Sequence, residues 1–246
     1  MSFQATPDVS VTRAARRWWQ QGLAQHGFWP TLKRFVREIW GFLQESTPER
    51  RRRRYGDVDY DWDYRVNTTS ATISFRDRLL GIFHSPYQAT DPALFHEMLS
   101  SLKIDYQQFT FVDLGSGKGR TLLMASDYPF RRIVGVELLP ELHRIAEENI
   151  RNYRSDRQKC FALESICADA RQFVLPQEPT VIYLFNPFPE WVFQDLITKL
   201  ESSFHHDAHP VYVLYHNPLL EHVLAQSSQL RKVGGTHQYA VYTNRD

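Results

Sequence analysis

Three acids and one amide, each set at or just past the end of an apolar run, are the residues of this 246-residue chain whose spacing could do chemistry. Asp113 stands within Phe111-Val112-Asp113-Leu114, directly before Gly115-Ser116-Gly117-Lys118-Gly119. Glu137 closes Arg132-Ile133-Val134-Gly135-Val136-Glu137. Asp169 follows a run from Phe161 to Ile166, and Asn186 follows Val181-Ile182-Tyr183-Leu184-Phe185 and opens Asn186-Pro187-Phe188-Pro189. Glycine lacks a Cβ and accepts positive φ, so the backbone of such a turn can approach a ligand closely. A carboxylate accepts two hydrogen bonds at once from a vicinal diol, and charge-assisted bonds are about twice as strong as neutral ones.

Elimination narrows the ligand. A Walker phosphate loop requires Gly-x-x-x-x-Gly-Lys-Ser/Thr, but Gly117-Lys118 is followed by Gly119. A dinucleotide fingerprint requires a third glycine where Arg120 stands. What matches is apolar-apolar-Asp-apolar-Gly-x-Gly-x-Gly, with Glu137 lying 24 residues after Asp113. That interval is close to the roughly 20-residue offset at which an acid meets ribose hydroxyls in dinucleotide folds.

On these residues the chain resembles the class I S-adenosylmethionine-dependent methyltransferases, over about residues 85–246. The resemblance implies S-adenosyl-L-methionine as cofactor and S-adenosyl-L-homocysteine as product. It implies that Asp113, Gly115, Ser116, Gly117 and Gly119, with Glu137 and Leu138 at the next strand end, hold the cofactor. Asp169, with Ala170 beside it, would receive the adenine amino group. A Tyr-containing segment that lies over the cofactor in lysine methyltransferases of this class corresponds to Tyr87 and Thr90. Asn186-Pro187-Phe188 resembles the Asn/Asp-Pro-Pro-aromatic motif of amino-group methyltransferases, which makes these three the catalytic residues, with Asn186 also against the cofactor. Here the aromatic comes one place early. Phe185, Phe188, Tyr87 and Tyr215 are candidate walls of the acceptor site, and Lys118, with no phosphate to bind, is expected at the surface.

The elements that must position these residues follow from periodicity. Leu94, Phe95, Met98, Leu99 and Leu102 predict a helix started by Thr90 or Asp91 with Pro92 in its first turn. The glycine turn leads into a second helix, and Leu142, Ile145, Ala146 and Ile150 mark one after Pro140. Strand, helix and strand in close succession make right-handed βαβ units and a parallel sheet. The helix Glu190–Phe204 and strand Pro210–His216 follow, with Asn217-Pro218 expected to open another helix. Gln229 to Val233 and His237 to Tyr242 read as strands across a tight turn at Gly234-Gly235. The fold class is α/β, a Rossmann-like doubly wound sheet, mostly parallel with an antiparallel C-terminal strand.

The N-terminal part differs in kind. Residues 1–56 hold eleven Lys and Arg against four Asp and Glu, while the remainder holds eighteen against twenty-four. Residues 1–29 are mixed. Leu32, Phe35, Val36, Ile39, Trp40 and Leu43 then predict an amphipathic helix over Trp29–Glu45. Arg50 to Arg54 precede an acidic-aromatic stretch, Asp57 to Tyr64. The expected division is a basic, aromatic-rich helical extension over 1–68 and a methyltransferase domain over 69–246. The extension either packs on the body or contacts an anionic membrane or nucleic acid through its arginines.

Cys160 and Cys167 are too few for a disulfide framework, and the histidines His205, His206 and His209 lack ligand spacing for a metal. No run approaches the roughly 18 apolar residues of a spanning helix, and a cytoplasmic setting is expected. The expected activity is N-methylation of an amine, a protein lysine or a small amine. Small-molecule or nucleic-acid methylation, or a non-catalytic cofactor-binding scaffold, stand as alternatives.

Overall fold

The computed structural model of the protein describes residues 10–45, 58–69, 88–185, 188–204 and 209–245. Tyr87, Asn186 and Pro187 lie outside the described residues, as do Arg50 to Arg54, Asp57, His205 and His206. The chain divides into two compact units, one drawn from Asp8–Asp63 and Thr69–Ala89, the other containing Tyr64–Thr68 and Thr90–Asp246.

The first unit holds two helices, α1 (Val11–His26) and α2 (Phe28–Glu45), joined at Gly27 with φ 78°. Phe35 of α2 lies 6.0 and 5.8 Å from the rings of Trp18 and Trp19 of α1. The helices approach so closely at Gly22 that a Cβ there would lie 2.6 Å from Thr31. α1 was not expected. Its Val11, Ala14, Ala15, Trp18 and Trp19 keep helical spacing, but interleaved arginines obscure the stripe. A third helix, α3 (Val58–Tyr64), follows.

The second unit is built on a seven-stranded sheet. Its elements are α4 (Pro92–Ser101), β1 (Thr110–Leu114), α5 (Arg120–Ala125), β2 (Arg132–Glu137), α6 (Pro140–Asn152), β3 (Leu163–Cys167), β4 (Thr180–Phe185), α7 (Glu190–Phe204), β5 (Val211–His216), α8 (Glu221–Ala225), β6 (Arg231–Gly235) and β7 (Tyr239–Thr243). The strand order is β3-β2-β1-β4-β5-β7-β6, with β1 to β5 parallel and β7 antiparallel to both its neighbours. This is the expected Rossmann-like sheet. The order reverses between β1 and β4, so their carboxyl ends flank the crevice where open α/β sheets hold ligands. The glycine turn leaves one of these ends, and Phe185 ends the other.

β1 and β4 are buried along their lengths because helices cover both faces. Val112, Leu114, Ile182, Leu184, Val213 and Tyr215 point one way, into the core formed with Phe193, Leu196, Ile197 and Leu200 of α7. Phe111, Asp113 and Tyr183 point the other way, where Phe95 of α4 meets Phe111 at 6.0 Å and Tyr183 at 5.5 Å. Asp91 caps α4 by accepting the Leu94 N–H at 2.9 Å, and Pro92 occupies the first turn as expected.

Two expectations at the C-terminal end are corrected. Gly234 and Gly235 do not form the turn but pair in the ladder with Val241 and Ala240. A Cβ on Gly235, whose φ is 132°, would sit 2.4 Å from the Tyr239 carbonyl, so glycine is needed where the strands pinch together. Asn217 takes a left-handed φ of 49°, which delays α8 to Glu221.

Gly135 of β2 sits opposite Asp113. A Cβ there would lie 2.6 Å from both Leu122 Cδ1 and the Ser116 hydroxyl. Gly135→Ala is therefore expected to lower stability by about 1–3 kcal/mol through overpacking. Urea denaturation checks this, and an unchanged midpoint would contradict the packing.

Candidate active site

The glycine turn is formed by left-handed backbone at Gly115, Gly117 and Gly119, with φ of 95°, 54° and 81°. From Phe111 to Ser126 every residue is buried except Gly115, which marks the open point of the turn. Glu137 clamps the turn onto β2. Its Oε2 accepts the Gly117 N–H at 2.8 Å and its Oε1 the Leu139 N–H at 2.7 Å. The strand-end acid expected to face a ligand thus also orders the loop. The Ser116 side chain is tucked over Gly135, its hydroxyl without a hydrogen-bond partner among the described residues. Gly119 caps α5 and lies against Ala146 of α6, where a Cβ would be 3.2 Å from that side chain.

Asp113 is buried at the end of β1, and its Oδ2 accepts the Thr121 hydroxyl. Burial pushes its carboxyl up to about 7, against the Thr121 bond and with help from the neighbouring Glu137 charge. Asp169 is half-buried after β3, and both its oxygens receive the Arg171 guanidinium, the shortest contact being 2.6 Å. Its Oδ1 also accepts the Arg171 N–H at 2.9 Å, so it caps the turn there. Ala170 packs into the core beneath α7, and Leu138 is half-buried after β2.

Lys118 is not at the surface. It is fully buried, and its ammonium donates to Asn67 Oδ1 at 3.0 Å. Arg120, also buried, donates to the Thr68 hydroxyl at 2.6 Å, and burial lowers its guanidinium to about 10. Asn149 of α6 completes the latch. It accepts the Asn67 N–H at 2.7 Å and donates to the carbonyls of Asn67 at 3.0 Å and Lys118 at 2.9 Å. The sequence concealed this because Asn67 and Thr68 lie 51 and 52 positions before the residues they bind.

A further polar chain joins three elements of this unit. Thr90 Oγ1 lies 3.0 Å from the Tyr183 hydroxyl, which lies 2.8 Å from His216 Nδ1. Burial raises the Tyr183 phenol well above its usual range and lowers His216 to about 4, although Asp91 opposes the latter shift. Phe185 stacks on His216 with centroids 3.8 Å apart and planes 18° from parallel, which fixes the end of β4. Phe188 is half-buried against the α7 core. Tyr215, a candidate wall, is instead buried in that core against Phe193 at 5.0 Å, because alternate residues of β5 face opposite sides.

The two buried shifts set opposite pH terms. Between its unfolded value of 3.8 and about 7, folded Asp113 keeps a proton that the unfolded chain has lost. Its contribution is therefore fully present below about 4 and is lost as pH rises through 7. Folded His216 stays neutral between about 4 and its unfolded 6.5, so its contribution is present above 6.5 and is lost as pH falls through 4. Asp113→Asn is expected to gain stability relative to wild type as pH rises from 4 to 7, and His216→Asn to lose it from 4 to 6.5. Each change is on the order of 3 kcal/mol, read by urea denaturation across this window. Parallel pH profiles for wild type and both variants would contradict the assignment.

The donor set fits a cationic nucleoside better than a phosphate. Two carboxylates, Asp113 and Glu137, stand at the turn, whereas the ammonium of Lys118 is tied to Asn67. A family model described as "Histone methylation protein DOT1" matches residues 84–175, which contain the glycine turn, Glu137 and Asp169. Together with the strand order, this decides the class. The protein is a class I S-adenosylmethionine-dependent methyltransferase. Its cofactor is S-adenosylmethionine.

No curated protein matches the methyltransferase. Among solved structures it is similar to an RNA methyltransferase from Salinibacter ruber in complex with S-adenosyl-L-homocysteine, at 22% identity over 63% of this chain and 92% of that one, with a TM-score of 0.44. A dimethyladenosine transferase from Plasmodium falciparum aligns at 13% identity over 64% and 62% of the two chains, with a TM-score of 0.45. A geranyl diphosphate C-methyltransferase from Streptomyces coelicolor aligns at 17% over 50% and 44%, with a TM-score of 0.38.

Proposed function

We propose that this methyltransferase N-methylates a protein lysine side chain. The observation that carries the reading is the match to a histone-methylation family model across the segment holding Thr90, the glycine turn, Glu137 and Asp169. The Asn186-Pro187-Phe188 motif, of the type that methylates amino groups, supports it.

In this reading Glu137 receives the ribose hydroxyls while keeping its bonds to Gly117 and Leu139. Gly115 and Gly117 bring their main chain against the cofactor, and Leu138 packs beside it. Asp169, with Arg171 folded onto it, receives the adenine amino group next to Ala170. Asp113 supplies negative charge beneath a cationic ligand, which favours its ionised form. Thr90, whose hydroxyl lies 3.0 Å from that of Tyr183, faces the cofactor, and Tyr87 has the cofactor role that the resemblance gives it.

The bound cofactor supplies a methyl group on a sulfonium whose leaving group is neutral. What the chain contributes is placement, and orientation alone can lower such a barrier by roughly 7–11 kcal/mol. A lysine ammonium has no lone pair, so the acceptor site must favour the neutral amine by desolvation and by carbonyl acceptors. Asn186 and the Pro187 main chain serve that role, with Phe185 and Phe188 as walls.

The test is transfer of labelled methyl from S-adenosylmethionine into a cell lysate. Label removed by protease supports the reading. Label released by nuclease, or carried only by small molecules, would assign another acceptor class.

A further inference from the structure

Among the described residues, the α1–α2 hairpin exposes one apolar face. Thr31, Phe35 and Phe28 turn toward α1, where Thr31 lies against Gly22 and the two phenylalanines against Trp18 and Trp19. At 3.6 residues per turn, Trp29, Val36 and Trp40 fall within about 40° of one another on a different side of α2. They are 70%, 58% and 62% exposed. Phe28 and Leu23, near the Gly27 bend, are exposed as well. Scattered apolar residues need no explanation, but a contiguous stripe on one helix marks an interaction surface.

Charge says what the stripe meets. Residues 10–45 carry Arg13, Arg16, Arg17, Lys33, Arg34 and Arg37 against only Glu38 and Glu45. Lys33 and Arg37 follow the stripe around α2, and Arg13, Arg16 and Arg17 are exposed on α1. Tryptophan prefers the boundary between apolar and wet surroundings, and long basic side chains lay their stems on apolar surface while their charges reach anions. Val36, which has no ring to stack on a base, disfavours single-stranded nucleic acid, whose binding uses aromatic platforms in a basic groove. No described helix is long and apolar enough to cross a membrane. The stripe therefore suits a helix lying in the interface plane.

We propose that this hairpin is a peripheral anchor that seats the enzyme on an anionic lipid surface, with Trp29, Val36 and Trp40 at the acyl boundary and Lys33 and Arg37 on the headgroups. The proposal does not depend on the acceptor of the methyl group.

Sedimentation of the full chain with phosphatidylcholine vesicles, with and without phosphatidylglycerol, tests it. Binding is expected to the anionic vesicles and to weaken at high salt. Lys33→Glu with Arg37→Glu should lower the partition at least about tenfold, in line with roughly 1 kcal/mol per basic residue near an anionic surface. Trp29→Ala with Trp40→Ala should lower it comparably at every salt concentration. Both double variants should keep wild-type affinity for S-adenosylmethionine, which shows that the second unit remains folded. No preference for anionic vesicles, wild-type partition by the tryptophan variant, or binding to RNA but not to vesicles would each overturn the proposal.

Discussion

Glu137→Ala is expected to weaken S-adenosylmethionine binding by about 100-fold or more, measured by titration calorimetry. The side chain has two roles in one place. Its oxygens hold the Gly117 and Leu139 N–H groups, and in the proposed complex they also accept the ribose hydroxyls. Hydrogen bonds to a charged group contribute about 1.5–3 kcal/mol each. Losing two of them alone approaches two powers of ten or more at 1.4 kcal/mol per tenfold. The freed Gly117 N–H adds to the loss by loosening the turn. Glu137→Gln keeps one carbonyl acceptor and should fall between the two, about tenfold weaker than wild type. Because both variants alter the loop, each is paired with a denaturation curve. Wild-type affinity in a folded Ala variant would move the ribose elsewhere.

The second large effect belongs to Asn186. Asn186→Ala is expected to lower turnover about 100-fold, the scale seen when one preorganised polar group is removed from a reacting centre. Cofactor affinity should stay near wild type, because Glu137 and the glycine turn are untouched. The residue before it, Phe185, stacks on His216 at the end of β4. Single-turnover kinetics at saturating S-adenosylmethionine separates the two quantities. Unchanged turnover would remove Asn186 from the mechanism.

The sheet was legible in the sequence because its signals are local. Continuous apolar runs gave β1, β2 and β4, Asp91-Pro92 gave the start of α4, and the helix Glu190–Phe204 was predicted to the residue. What is not legible there depends on distance along the chain or on geometry. The burial of Lys118 and Arg120 rests on Asn67 and Thr68, which no periodicity connects to the turn. The Tyr183–His216 contact sits within two runs that read only as strands, although parallel pairing of Phe185 with His216 brings them side by side. Gly234 and Gly235 look like a turn until the approach of the Tyr239 carbonyl shows that they serve the ladder. The carboxylates at the strand ends were readable because their spacing follows the βαβ repeat. The pairing of Asp169 with Arg171 was not, because a capping role and a binding role use the same residue type.

The proposed function stands on the atom that receives the methyl group. Acid hydrolysis of labelled protein product, followed by amino-acid chromatography, identifies it directly. Label is expected in methylated lysine, and to appear there about 100-fold more slowly in the Asn186→Ala reaction. Label released as volatile methanol, as from a methyl ester, label in methylated arginine or histidine, or label only in nucleotides would contradict it.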